Sequence, residues 1–155
     1  MRRIRVSFCV CLVTLGLTAG IVTPAEAQQV APGVQGGVSI DPDQVYFGGH
    51  VETSPLIDRL RFRPSVDIGV GEDVVAVAGN FDFTYTFPGG RLWNLYVGGG
   101  PSVNFYNADN GGDNTEGGFN FLIGAKQTRG GLFFEMKVGV EGSPDLKFGV
   151  GYTFR

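Results

Sequence analysis

The sequence predicts an all-β fold: a closed barrel of eight antiparallel strands in up-and-down order. Three observations predict it. Apolar and polar residues alternate with a period of two from about residue 33 to the end, which is the pattern of strands with one apolar and one polar face. Turn residues separate the alternating segments. Glycine accounts for 26 of the 155 residues without a collagen period, and this suits a narrow barrel with little room for side chains.

The first three strands lie upstream of residue 71. The first is predicted at 33–40, where Gly36 and Gly37 dilute the alternation. In the second, the apolar positions Val45, Phe47 and Val51 oppose the polar positions Gln44, His50 and Glu52. In the third, Leu60, Phe62, Val66, Ile68 and Val70 oppose Arg59, Arg61, Arg63 and Asp67.

The remaining five strands repeat the same alternation with aromatic residues on the apolar face. Their apolar positions are Val75, Val77, Phe81, Phe83, Tyr85 and Phe87; then Trp93, Leu95, Val97, Val103 and Phe105; then Phe119, Phe121 and Ile123; then Leu132, Phe134, Met136, Val138 and Val140; and finally Leu146, Phe148, Val150, Tyr152 and Phe154. An even number of hairpin-linked strands can close on itself and so remove its two edges.

The connections are predicted to be short, with one exception. Turn signals stand at 41–43, 53–57, 71–72, 88–90, 128–130 and 142–144, and a polar, glycine-rich segment at 107–117 predicts one long loop. This loop falls at the end of the barrel opposite to the short connections at 88–90 and 128–130. Longer outer loops and short inner turns are typical of membrane barrels.

The apolar face is predicted to point outwards, toward lipid, and the polar face into the lumen. The polar face is rich in residues without side chains: Gly37, Gly48, Gly69, Gly98, Gly100, Gly124, Gly139, Gly149 and Gly151. One rim would also carry an aromatic girdle of Tyr85, Phe87, Trp93, Tyr152 and Phe154. The alternative is a soluble secreted barrel with its aromatic face inside.

The N-terminal segment predicts export. Residues 1–27 carry Arg2, Arg3 and Arg5, then an apolar stretch, then an A-x-A cleavage site that ends at Ala27. A membrane helix is the less favoured interpretation, because the apolar run is marginal for a span and ends in a processing site. Both cysteines lie in this leader, so residues 28–155, the predicted outer-membrane barrel domain, have no thiol. With 9 basic and 14 acidic residues, this domain is not expected to bind nucleic acid.

The alternating strands after a signal peptide, the turn Asp41-Pro42-Asp43-Gln44 and the ending Val150-Gly151-Tyr152-Thr153-Phe154 resemble small bacterial outer-membrane β-barrel proteins of the OmpA/OmpX-like superfamily. The resemblance covers nearly the whole chain after the leader. It implies a monomeric barrel in the bacterial outer membrane, with outer-membrane lipid and the barrel assembly machinery as partners. Barrels of this family usually end on an aromatic residue, whereas here Arg155 follows Phe154.

The candidate functional residues are the charges on the lumen face. They are Arg59, Arg61, Arg63, Lys126, Lys137 and Lys147 against Glu52, Asp67, Asp82, Glu135 and Glu141. Nearly equal numbers of the two signs predict a structural network of ion pairs that plugs the barrel, since an enclosed charge without a partner is costly. The alternative is a small ion-conducting path through the same residues.

Enzymatic chemistry is not predicted, and no cofactor or metal is expected. His50 is the one histidine of the chain and lies on the lumen face beside Glu52, without a nucleophile in a recognisable motif. The oxygen-rich segment 107–116 does not have the ligand spacing of an EF-hand, so a solvated loop is favoured over a calcium site. Two function classes remain: a non-enzymatic, porin-like outer-membrane barrel that serves envelope integrity, surface interaction or minor permeation, and a secreted barrel that binds a hydrophobic ligand on its aromatic face.

Overall fold

The computed structural model of the protein describes residues 30–72, 74–108 and 112–155, which form one closed sheet of eight strands. Each strand pairs antiparallel with the next, and β1 pairs with β8 to close the barrel. The predicted all-β, eight-stranded, up-and-down barrel is therefore confirmed. The predicted signal peptide, residues 1–27, lies outside the described residues. No helix in the described part of the chain has the length and apolar character of a membrane span.

The strands follow the chain order around the barrel. Their bounds are β1 Ala31–Ile40, β2 Gln44–Glu52, β3 Leu60–Val70, β4 Val74–Thr86, β5 Trp93–Ala108, β6 Gly112–Gln127, β7 Leu132–Val140 and β8 Leu146–Thr153. We call the end where β1 begins and β8 ends the first rim; it carries the connections 53–59, 87–92 and 128–131. The opposite end is the second rim, with the connections 41–43, 71–73, 109–111 and 141–145.

A glycine in β1 allows the barrel to close. Gly37 pairs with Gly149 of β8, and a Cβ atom on Gly37 would lie 1.9 Å from the carbonyl oxygen of Phe148. Any side chain at this position would push the two strands apart. Gly37, one of the two glycines that weaken the strand pattern in the sequence, is therefore required at the seam between β1 and β8.

Alternation along the strands places apolar side chains outside and polar side chains inside. In β4, Asp82 is fully buried, while its neighbours Phe81 and Phe83 are 45% and 43% exposed. The same holds in β7, where Phe134 is exposed and Glu135 is buried. The barrel thus has a polar interior and an apolar outer surface, the inverse of a soluble globular domain.

The predicted long loop at 107–117 is wrong. Strand β5 continues to Ala108 and β6 begins at Gly112, with pairing from Val103–Gly117 to Ala108–Gly112. The polar, glycine-rich composition predicts a loop, but the backbone pairs across the hairpin up to Ala108 and from Gly112 onwards. The connections at the second rim are consequently no longer than those at the first, so loop length does not distinguish an outer from an inner end.

Candidate functional site: the charged barrel interior

The barrel interior contains balanced charge. Four acidic and four basic side chains are buried there: Glu52, Asp67, Asp82 and Glu135 against Arg63, Lys126, Lys137 and Lys147. Because every strand of the closed barrel points one set of its alternating side chains inward, residues that are far apart in the chain meet across the lumen. Ion pairs join them into three clusters, one toward each rim and one between.

The central cluster joins three strands around one carboxylate. Arg63 of β3 donates from Nη2 to Oε2 of Glu135 in β7, and the hydroxyl of Tyr96 donates to the same oxygen at 2.7 Å. Lys137 lies 2.5 Å from Asp82 Oδ2 and 3.5 Å from Glu135 Oε1. Positive and negative groups thus alternate across the lumen, which is the arrangement that makes buried charge tolerable.

Aromatic rings pack around the central cluster. The Arg63 guanidinium carbon lies 5.6 Å from the ring centroid of Tyr96 and 5.2 Å from that of Phe133. Glycine at the paired position of the adjacent strand leaves space for each ring. A Cβ atom on Gly124 would lie 2.3 Å from Tyr96 Cζ, and one on Gly151 would lie 2.3 Å from Phe133 Cζ. The inward-facing glycines therefore let large rings fill a narrow barrel.

The cluster toward the second rim contains one ion pair within a hydrogen-bond network. Lys147 Nζ lies 3.5 Å from Asp67 Oδ2 and 4.6 Å from the ring centroid of Tyr46. Asp67 also accepts hydrogen bonds from Gln35 Nε2 at 2.7 Å and from Asn80 Nδ2 at 3.1 Å. The cavity beside this cluster has a volume of about 10 Å³, which is room for at most about one water molecule.

The cluster toward the first rim gathers three cations around one carboxylate. Lys126 Nζ donates to Glu52 Oε2, while Arg155 Nη2 lies 2.5 Å and Arg61 Nη1 lies 3.4 Å from Glu52 Oε1. Arg61 also donates to the carbonyl oxygen of Thr53 at 3.0 Å. Glu52 is buried, whereas the side chains of Arg61 and Arg155 are 28% and 40% exposed. This cluster therefore opens to the rim.

Nine of the eleven predicted lumen charges lie inside the barrel and form ion pairs with one another. Arg59 and Glu141 form no ion pair with any residue that the structure describes, and the prediction that they lie on the lumen face is wrong. Arg59 is exposed in the turn closed by the hydrogen bond from Leu60 N to Ile57 O, one residue before β3. Glu141 follows β7 with a positive φ of 41°, which takes its exposed side chain out of the strand alternation. Both residues extend the sequence alternation of polar and apolar residues by one position beyond the strand, where there is no pairing to fix the direction of the side chain.

Sequence reasoning missed two groups that belong to the network. Arg155, which follows the aromatic residue at the end of the last strand, pairs with Glu52. Tyr96 is buried and donates a hydrogen bond to Glu135. In β5, Tyr96 lies between Leu95 and Val97, which point outwards. The alternation of the strand therefore predicts that Tyr96 points inwards, although its side chain is aromatic.

His50 is enclosed and contacts no carboxylate at hydrogen-bond distance among the described residues. Its Nε2 lies 3.0 Å from Thr153 Oγ1, and its ring packs at 5.4 Å against Phe133. Both His50 and Thr153 are buried. Within the described residues, no group of three or more potential ligands is arranged to hold a metal ion. Of the segment considered for calcium, the side chains at 108–113 lie outside the description.

No protein-family model matches the chain, and no curated protein matches it in sequence. Its function must therefore be argued from the barrel and its charges.

Proposed function

We propose that the protein is a non-enzymatic outer-membrane β-barrel with a charge-paired, largely plugged interior. In this role it would serve envelope integrity, surface interaction or minor permeation. It would be exported with a cleaved signal peptide and inserted by the barrel assembly machinery. In the membrane it would be a monomer surrounded by outer-membrane lipid. The observation that carries the proposal is the inverted distribution of side chains, apolar outside and charged inside.

The outer surface is apolar on every strand. Its exposed side chains include Val34 of β1, Phe47 of β2, Val66 of β3, Phe83 of β4, Leu95 of β5, Phe121 of β6, Phe134 of β7 and Phe148 of β8. Soluble monomers rarely expose a continuous apolar patch larger than a few hundred Å². A lipid environment removes this penalty, and the closed sheet leaves no strand edge unpaired in hydrocarbon.

An aromatic girdle at the first rim supports the same location. Tyr85 and Phe87 contact each other with ring centroids 5.3 Å apart, and Tyr152 and Phe154 do so at the same distance. Trp93 packs at 5.6 Å on Phe134 and is also exposed. Amphipathic aromatic rings are enriched where the hydrocarbon meets the headgroups.

The interior disfavours the alternative of a soluble barrel that holds a hydrophobic ligand. That function needs an apolar cavity inside, whereas the interior is lined by charges and the cavity beside Asp67 and Lys147 has a volume of about 10 Å³.

We expect the mature protein to sediment with outer membranes and to stay there after washing with high salt. The reason is that its outer surface has hydrophobic rather than ionic contacts to make. Cell fractionation, with heated and unheated samples compared by electrophoresis, measures this, because folded barrels migrate differently from unfolded ones. Recovery of a detergent-independent monomer from the soluble fraction would overturn the proposal.

We also expect no large, steady conductance when the purified barrel is inserted into planar bilayers. The central ion pairs and the buried rings of Tyr96 and Phe133 occupy the lumen. Single-channel recording at several voltages checks this. A large stable conductance would mean that the same charges line a wet path, which is the alternative reading of the network.

A further inference from the structure

We propose that the first rim contains a binding site for a phosphate group, carried by a soluble phosphate compound or by a lipid headgroup. An open cavity of about 190 Å³ lies at this end of the barrel, and we call it the first-rim recess. Four cationic side chains line it: Arg59, Arg61, Lys126 and Arg155.

The cations of the recess are not matched by acids. Arg61, Lys126 and Arg155 all share the single carboxylate of Glu52, which lies buried beneath them. Arg59 forms no ion pair with any described residue, and Asp58 is the one acidic side chain that lines the recess. The recess thus has more cationic than acidic side chains, an imbalance that a bound phosphate group would reduce.

The donors have the chemistry that phosphate recognition uses. Three of the four cations are arginines, whose planar forks bind phosphate oxygens in a bidentate manner. Asn94 also lines the recess, and its Oδ1 accepts from Gly90 N at 3.2 Å, so its amide nitrogen is not used in that bond. The site thus combines charge with fixed donors.

The charge distribution of the whole barrel directs anions to this end. Arg91 and Arg129 are exposed in the other two connections of the first rim. At the second rim, the charged side chains of the described connections are all acidic: Asp41, Asp43, Glu72, Glu141 and Asp145. An anion is therefore attracted to the first rim and repelled from the second.

The test measures binding of pyrophosphate to the full barrel by titration calorimetry, in a phosphate-free buffer of low salt and a detergent without phosphate. We expect Arg59→Gln and Arg61→Gln to weaken binding about tenfold each, since each removes one charge-assisted contact. Arg91→Gln and Arg129→Gln are the matched controls: they remove the same charge from the same rim but do not line the recess. These should change the affinity less than twofold.

Arg59 lies in a turn, so the Arg59→Gln barrel is expected to fold, and its heat-dependent mobility verifies this. A second arm replaces pyrophosphate with detergent-dispersed phosphatidylglycerol. Weakening of pyrophosphate binding by Arg59→Gln assigns the site to soluble phosphates, and weakening of lipid binding alone assigns it to headgroups. Absence of binding in both arms, or equal weakening by Arg59→Gln and Arg91→Gln, would overturn the proposal. The site needs only the folded barrel, so its failure would leave the membrane proposal intact.

Discussion

Replacing Glu135 with Gln is expected to lower the free energy of unfolding by about 3–5 kcal/mol. Glu135 is the one ion-pair partner of Arg63 among the described residues, and both side chains are buried. Gln preserves the size of the side chain but removes its charge, so Arg63 becomes an enclosed cation without a counter-ion. Urea unfolding in detergent, followed by the fluorescence of Trp93, measures the loss.

Glu141→Gln is the matched control for this substitution. It makes the same chemical change at an exposed position in the connection 141–145, so stability should change by no more than about 0.5 kcal/mol. If the two variants unfolded at the same urea concentration, the ion pair of Glu135 would not contribute to stability. This result would contradict the plugged interior and favour a water-filled channel.

Placing Arg at position 121 is expected to cost about 2–4 kcal/mol when the barrel is embedded in a bilayer. Phe121 is 58% exposed on the outer face of β6, far from both rims along its strand. Under the proposed function this position lies in hydrocarbon, where a guanidinium loses its hydration. Urea unfolding from lipid vesicles measures the cost.

Leu92→Arg is the control for the lipid-facing position. Leu92 is also apolar and is 74% exposed, but it lies in the connection 87–92 at the first rim. There the expected cost is at most about 1 kcal/mol, because the side chain reaches water or headgroups. Equal tolerance at both positions would be the behaviour of a soluble barrel and would contradict the membrane location.

The strands and the facing of their side chains could be predicted from sequence because both depend on local alternation. In β4, the run from Asn80 to Thr84 places polar residues at even positions and Phe81 and Phe83 at odd ones, and a strand must then send the two sets to opposite sides. The glycines on the polar face also predict a narrow interior. These predictions do not depend on which strands pair with each other.

The ends of strands could not be predicted in the same way. The segment 107–117 has the composition of a loop, yet its residues pair across the hairpin up to Ala108 and Gly112. Conversely, Arg59 and Glu141 continue a strand-like parity after the pairing has stopped. A strand ends where its partner ends, so the boundary is a property of two segments and not of one.

By itself, the sequence determined the fold class, the eight strands and the division of their side chains into an apolar and a polar face, since a period of two is a local property of the chain. The inward glycines favoured the polar face as the inner one, and the closed barrel, with Asp82 buried and Phe81 exposed, decided it. Only the tertiary structure decided which charges meet. Arg63 pairs with Glu135, 72 positions further along, and Arg155 reaches Glu52 across the seam between the chain's first and last strands. These partners depend on the register of all eight pairings and on closure of the barrel. The first-rim recess also depends on the tertiary structure. Its excess of cationic side chains exists because Arg61, Lys126 and Arg155, which are far apart in the sequence, converge on the carboxylate of Glu52.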